Sequence, residues 1–203
     1  MPNPYLDYPG DYNLNKIEII TATGEVLPLR MGMIVELNVF EDIESSALTG
    51  SMVMIDSSNI ISNAPLQGNE RLVFKLSTPV SEYDERVAID ASEETGYPFH
   101  IYAIKKRVIQ SETLSSYNIQ FCSRELLRNT RTRVSRAYEG EVHQAAIKIL
   151  RDKNGLDSKK RLRYEPTKNK EKLVIPNMRP FRALDIVSKK ALSKNSEASG
   201  YYF

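Results

Sequence analysis

The sequence predicts an α+β protein, with an antiparallel β-barrel or sandwich followed by a smaller α/β domain. Up to Cys122, short segments rich in β-branched residues alternate with turn residues, which is typical of strands. After Cys122 the spacing of apolar residues changes from two to three and four, the period of an amphipathic helix. We therefore expect one domain over residues 1–122 and a second over residues 123–203.

The first domain is expected to contain six or seven strands. Ala22-Thr23-Gly24-Glu25 supplies the turn of a hairpin between Lys16–Thr21 and Val26–Leu29. Further strands are predicted at Met33–Phe40, Leu48–Ile55, Arg71–Ser77, Phe99–Ile109 and Thr113–Cys122. Strict alternation in Met33–Phe40 would place Ile34 and Glu36 on one face and Val35, Leu37 and Val39 on the other.

An acidic run from Ser81 to Glu94 lies between two of these strands and ends at Gly96-Tyr97-Pro98. We expect it to be a solvated loop. Its carboxylates lack the alternate spacing and the central glycine of a calcium-binding loop, so no metal site is predicted there.

The second domain is expected to contain two helices. One should begin at Glu139 and run through Leu150 to a stop at Asn154-Gly155, and the other should run from Pro180 to Leu192. Between them we expect a polar loop at Lys168–Glu171 and a short strand at Leu173–Pro176. Gly200–Phe203 reads as the opening of a strand, so we expect this domain to be incomplete and the chain to be the amino-terminal portion of a longer protein.

The charge of the chain is divided unequally. Residues 1–100 carry five Lys and Arg residues against sixteen Asp and Glu residues, a balance of −11, whereas residues 101–203 carry 23 against ten, a balance of +13. The two halves either form separate solvated surfaces or face each other, within one chain or between subunits.

Several classes of protein are not indicated. No apolar stretch approaches the roughly 20 residues of a membrane-spanning helix, and the first residues lack the pattern of a secretory signal, so we expect assembly in a cytoplasm and no membrane insertion. Cys122 is the only cysteine, which excludes an internal disulfide and a zinc site built on paired cysteines.

No catalytic, cofactor-binding or metal-binding residue is predicted. The two histidines, His100 and His143, are interpreted as ordinary packed or surface residues, and Cys122 as a small buried residue. Nucleotide-binding glycine patterns and nucleophile motifs are absent from the sequence. We therefore expect no enzyme activity and no cofactor.

Basic residues crowd the segment Arg124 to Arg163. Five arginines lie within thirteen residues, at Arg124, Arg128, Arg131, Arg133 and Arg136, and Lys159-Lys160-Arg161-Leu162-Arg163 follows. Such clusters can bind phosphate backbones, which makes a nucleic-acid-binding module one alternative function. Specific nucleic-acid binding is not the preferred interpretation, because the segment lacks interleaved aromatic residues and zinc ligands.

Two stretches stand out in the first domain. The first is Ala47–Ile61, with Asp56-Ser57-Ser58-Asn59-Ile60, and the second is Pro65–Phe74, with Gly68-Asn69-Glu70 leading into a strand. These stretches resemble the baseplate hub proteins of T-even-type contractile-tailed phages. Tyr8–Leu14 and the helix entry Pro180-Phe181-Arg182-Ala183-Leu184 are further similarities. The similarity spans nearly the whole chain in order.

The resemblance implies a fold, a role and a set of partners. Residues 1–122 would form a β-barrel of the tail-tube type, and residues 123–203 would form a peripheral α/β domain. The protein would be a structural component of the virion, a homotrimeric ring in the tail baseplate that contacts the tail tube protein, the central spike protein and the baseplate wedge proteins. The spike-hub of a contractile secretion system is the alternative within the same group.

Overall fold

The computed structural model describes residues 12–57, 60–63, 66–77, 88–95, 97–111 and 114–195. The chain divides into two compact units. Unit 1 comprises Met1–Phe40 and Thr49–Ser123, and unit 2 comprises Glu41–Leu48 and Arg124–Phe203. The connection between two strands of unit 1 is thus part of unit 2.

Within the described residues, unit 1 is an antiparallel sheet. Its strands are β1 (Asn13–Ile20), β2 (Val26–Pro28), β3 (Ile34–Phe40), β4 (Thr49–Asp56), β5 (Arg71–Ser77), β6 (Ala88–Asp90), β7 (Phe99–Ser111) and β8 (Leu114–Cys122). Seven of them follow the order β2-β1-β5-β7-β8-β4-β3, and β6 pairs with β5 beside this path. A 3-10 turn at Met31–Met33 precedes β3, and a short helix, α1 (Ile60–Asn63), follows β4.

The predicted α+β class and the antiparallel sheet are confirmed. The predicted hairpin is the pair β1–β2, with Ile19 opposite Leu27. Closure of the sheet into a barrel is not found in the described pairing, because β2 and β3 each pair with a single strand and end the path. The prediction of a loop is wrong at Ala88–Asp90, where pairing with β5 forms β6 inside the acidic run.

Alternating side chains build the core of unit 1. Residues of β4 and β8 alternate between buried and half-buried positions, as expected for strands with one face on the core. Three phenylalanines lie at its centre. Phe121 contacts Phe99 edge-on at 5.1 Å and Phe74 at 6.0 Å between ring centroids, and Phe74 stacks on Phe99 at 5.4 Å.

Register shifts interrupt the alternation of two strands. β3 shifts against β4 between Ile34 and Glu36, and Val35 is 60% exposed. Ile34 is therefore opposite Met54, on the core face of the sheet, and the predicted pairing of Ile34 with Glu36 on one face is wrong. At a bulge, two residues of one strand lie opposite one residue of its partner, so the residues after the bulge point to the other face of the sheet. β7 contains three such shifts against β8.

Two buried carboxylates organise the segments around β4 and β5. An oxygen of Asp56 accepts a hydrogen bond from the backbone N–H of Ile61 at 3.1 Å, at the start of α1. Glu70, which is 1% exposed, accepts hydrogen bonds from the N–H groups of Gln67 at 2.6 Å and Gly68 at 2.7 Å. Backbone donors replace water around these charges, so the carboxylates act as local fold determinants.

Unit 2 combines helices with a two-stranded antiparallel sheet in the described residues. The elements are α2 (Arg124–Arg131), β9 (Val134–Glu141), α3 (Val142–Arg151), β10 (Lys170–Met178) and α4 (Pro180–Ser188). Helices α3 and α4 supply most of the core, including Ala146, Ile149 and Leu184, and the sheet supplies Tyr138 and Ile175.

Several sequence-based boundaries in unit 2 are wrong. Neither α2 nor β9 was predicted. The helix expected from Glu139 begins at Val142, because the preceding residues pair with β10. The helix expected to reach Leu192 ends at Ser188, and the predicted loop at Lys168–Glu171 contributes its last two residues to β10.

Some expectations fall on residues that the structure does not describe, namely those for residues 8–11, 58–59, 65, 81–87, 96, 113 and 200–203. No helix in the described part of the chain is long and apolar enough to cross a membrane.

Candidate functional site

Strand β7 of unit 1 has neighbouring strands on both sides at its start and on one side over the rest of its described pairing. It pairs with β8 from His100 to its end, whereas among the described residues β5 meets it only opposite Phe99 and His100. Beyond that point the strand exposes four large apolar side chains, which we call the β7 surface: Tyr102 (44%), Ile104 (39%), Val108 (39%) and Ile109 (65%). Apolar side chains on a strand paired along one side are typical of a contact with another chain.

Arginines of α2 hold a loop of unit 2, residues 152–160, which we call the anchored loop. Arg124 donates hydrogen bonds to the carbonyl oxygen of Asp157 at 2.9 Å and to its carboxylate at 3.1 Å. Arg128 donates to the carbonyl oxygen of Gly155 at 2.7 Å and to a second loop carbonyl at 2.6 Å. Hydrogen bonds from Lys159 and Arg124 lower the pKa of Asp157 from 3.8 to about 2.

A buried acid closes the same loop. Glu125 is 8% exposed and accepts a hydrogen bond from the Ser158 hydroxyl at 2.7 Å, and Lys160 Nζ lies 3.2 Å from its other oxygen. Burial opposes ionisation of Glu125, but the charge of Lys160 and the Ser158 hydrogen bond outweigh it, so its pKa lies below the usual value. Arg151 adds hydrogen bonds to the carbonyl oxygens of Ser158 and Lys160.

The basic segment therefore does not act as one surface. Arg124 and Arg128 are used inside unit 2. By contrast, Arg131, Arg133 and Arg136 are exposed, and their side chains make no hydrogen bond or ion pair within the described residues. Nucleic-acid binding by this segment would have to depend on these three arginines and on the residues after the anchored loop.

A cavity of about 630 Å³ opens in unit 2 between α3 and the segment 158–167. Its volume falls within the roughly 300–1,000 Å³ that is usual for ligand pockets. The floor is apolar and is formed by Val142, Ala146, Leu150, Phe181 and Leu184.

His143 forms part of the cavity wall. The backbone N–H of Thr167 donates to His143 Nδ1 at 3.2 Å, and the side-chain amide nitrogen of Gln144 lies 3.0 Å from His143 Nε2. The ring of Tyr164 stacks on the imidazole at 5.3 Å with an interplanar angle of 18°. Sequence reasoning treated His143 as an ordinary packed or surface residue, and the structure places it, 8% exposed, at the cavity.

The other two residues weighed as catalytic candidates lie in unit 1. His100 and Cys122 are opposite each other on β7 and β8, and Cys122 is fully buried. In the part of the chain that the structure describes, no group of three His, Cys, Asp or Glu residues is placed to hold a metal ion.

The cavity could not be read from the sequence, because its lining comes from five separate stretches of chain. The closest signal in the sequence is the pair Arg161 and Arg163, which flank Leu162 and directly precede Tyr164. That signal was interpreted only as part of a basic cluster.

Comparison with known proteins finds similarity to solved structures. No protein-family model matches the sequence, and no curated protein matches it. The chain is similar to the 43 kDa tail protein of prophage MuSo2 from Shewanella oneidensis, with a TM-score of 0.50 and 11% identity over 86% of this chain and 48% of that one.

A second similar structure is the E. coli c3393 protein, described as a component of the type VI secretion system that resembles the T4 bacteriophage tail proteins gp27 and gp5. It has a TM-score of 0.41 and 15% identity over 88% of this chain and 42% of that one. The chain thus spans less than half of the length of either protein. The similarity to the prophage tail protein shows a shared fold.

Proposed function

We propose that this chain belongs to a structural protein of a phage tail, and that it acts in the baseplate hub as a ring-forming subunit between the tail tube and the central spike. The observation that carries the proposal is the fold shared with the MuSo2 tail protein over 86% of the chain. The hub-like stretches around Asp56 and Glu70 agree with it, because both carboxylates stabilise the local backbone rather than form a reactive site.

The β7 surface supports assembly as the mode of action. Burying its four side chains against a neighbouring subunit would remove apolar area from water, which is the main driving force of association. In the proposed assembly three copies form the ring, which contacts the tube protein, the spike protein and the wedge proteins in the virion baseplate. No catalytic step is part of the proposal.

The mass in solution tests this proposal. We would measure the natural polypeptide that contains this chain by light scattering over a range of concentrations, and compare Ile109→Asp with Val174→Asp. Both residues are exposed, Ile109 at 65% in unit 1 and Val174 at 74% in unit 2, so neither change should unfold the protein. We expect a trimer that Ile109→Asp weakens and that Val174→Asp leaves intact.

The two parts of the proposal fail separately. A strictly monomeric protein at every concentration would refute the ring. A trimer that is equally stable in both variants would keep the ring and show that the β7 surface is not its interface.

A further inference from the structure

The cavity in unit 2 combines an apolar floor with two exposed arginines, Arg161 and Arg163, that have no partner among the described residues. We propose that it binds a short acidic segment of another protein, which inserts one large apolar side chain. This inference concerns unit 2 alone and does not depend on ring formation.

The first argument is the composition of the floor. Val142, Ala146 and Leu184 are buried, whereas Leu150 and Phe181 are half-buried and pack against the same core. Covering half-buried apolar side chains with an apolar side chain from outside is favourable, at about 25 cal/mol per Å² removed from water. The floor therefore selects an apolar anchor.

The second argument is the charge of these two arginines. Arg161 and Arg163 line the cavity on either side of Leu162, are exposed, and have no hydrogen bond or ion pair within the described residues. A guanidinium group with free donors is well suited to a carboxylate, which it can bind through two parallel hydrogen bonds.

The third argument is that most acids of the lining are already engaged. Glu125 binds Ser158 and Lys160, and Glu165 accepts a hydrogen bond from Ser193. Glu41 and Glu165 keep their negative charges, but neither forms an ion pair with Arg161 or Arg163 within the described residues. Both guanidinium groups are therefore open to carboxylates from a partner, and the excess of basic residues in residues 101–203 favours an acidic one.

The wall also favours a planar or bulky anchor. Tyr164 is 55% exposed although its ring stacks on His143 at 5.3 Å, so one ring face rests on the imidazole and much of the side chain is still accessible. Aromatic side chains at such positions are frequent anchors of protein interfaces.

A tryptophan peptide provides a direct test, because the protein contains no tryptophan. The probe is acetyl-Asp-Glu-Trp-Asp-Glu-amide, and the matched peptide is acetyl-Lys-Lys-Trp-Lys-Lys-amide. Titration of the protein into each peptide is followed by tryptophan emission and anisotropy. We expect a blue shift and a rise in anisotropy for the acidic peptide, weakened by added salt, and neither change for the basic one.

A pair of double variants assigns the binding to the cavity. Arg161→Ser with Arg163→Ser should weaken binding of the acidic peptide about tenfold, as expected for the loss of two partly solvated charge contacts. Arg131→Ser with Arg133→Ser removes the same charge from exposed arginines that do not line the cavity, and it should leave the affinity unchanged.

Three results would overturn the inference. The first is the absence of any change with the acidic peptide, or equal binding of both peptides. The second is an equal loss of affinity in the two double variants. The third is self-association of the protein that the change at Arg161 and Arg163 abolishes, since a second copy would then be the occupant.

Discussion

Gly50 in β4 lies where the sheet has no room for a side chain. A Cβ atom at this position would be 2.3 Å from Cε2 and Cζ of Phe121 and 2.4 Å from the carbonyl oxygen of Asn38. Carbon atoms in contact are normally about 3.5–4.0 Å apart, so Gly50→Ala requires shifts of more than about 1 Å on two sides. Phe121 is held by Phe74 and Phe99, and Asn38 belongs to the paired backbone of β3.

The cost of this substitution follows from the two clashes. Overpacking a core typically costs about 1–3 kcal/mol, and moving a paired strand places Gly50→Ala at the upper end. Alanine restricts the unfolded chain more than glycine does, which stabilises the folded state by about 0.4–1 kcal/mol. We therefore expect a net loss of at least about 2 kcal/mol, which at a slope of about 2 kcal/mol per M lowers the urea midpoint by about 1 M.

Urea unfolding followed by circular dichroism measures the midpoint, and hydrogen exchange of β4 and β8 peptides shows whether the loss lies in unit 1. Gly32→Ala is the matched control, because a Cβ atom there meets nothing within 4 Å, and its midpoint should stay close to that of the wild type. Equal midpoints for the two variants would refute the packing argument, as would a loss of protection confined to unit 2.

Three further predictions address the buried acid of unit 1 and the anchored loop. Glu70→Gln should lower the free energy of unfolding, measured with urea, by about 1–3 kcal/mol, since an amide has one acceptor oxygen for the two N–H groups that now bind the carboxylate. An effect no larger than that of Glu25→Gln, a change in an exposed turn, would contradict this prediction. Arg128→Ala should speed hydrogen exchange in the anchored loop, because its carbonyl groups lose their donor, and Arg131→Ala should not. The lowered pKa of Asp157 means that its charge stabilises unit 2 above its ordinary pKa of 3.8 and that this contribution is lost as the pH falls through about 2. The stability difference between the wild type and Asp157→Asn, from thermal melts, should therefore shrink over that window, and a constant difference would be inconsistent with the ion pairs.

The elements that the sequence predicted well are those whose signal is local. β4 and β8 bury every second residue, so their period of two is visible without knowledge of their neighbours. Helix α4 opens with Pro180, a residue favoured at the first helical position, and α3 carries apolar residues at spacings of three and four.

The elements that it missed depend on distant partners. β9 buries only Val134 and Tyr138, a spacing of four that does not distinguish a strand from a helix, and it is a strand because β10 pairs with it. α2 is mostly polar. Three of its eight residues are arginines, and Glu125, Asn129 and Thr130 are also polar, so its sequence has little apolar pattern. The side chain of Asn129 instead accepts a hydrogen bond from the backbone N–H of Phe181, far along the chain.

By itself, the sequence determined the class of the fold, an antiparallel sheet followed by helices, because periodicity and turn residues act over a few neighbouring positions. Only the tertiary structure decided which arginines are internal donors and which are available for a partner. It also decided where the cavity lies, because Val142, Arg161 and Leu184 come together only through folding. Hydrogen bonds and burial join residues that are far apart in the chain, and no local pattern encodes them.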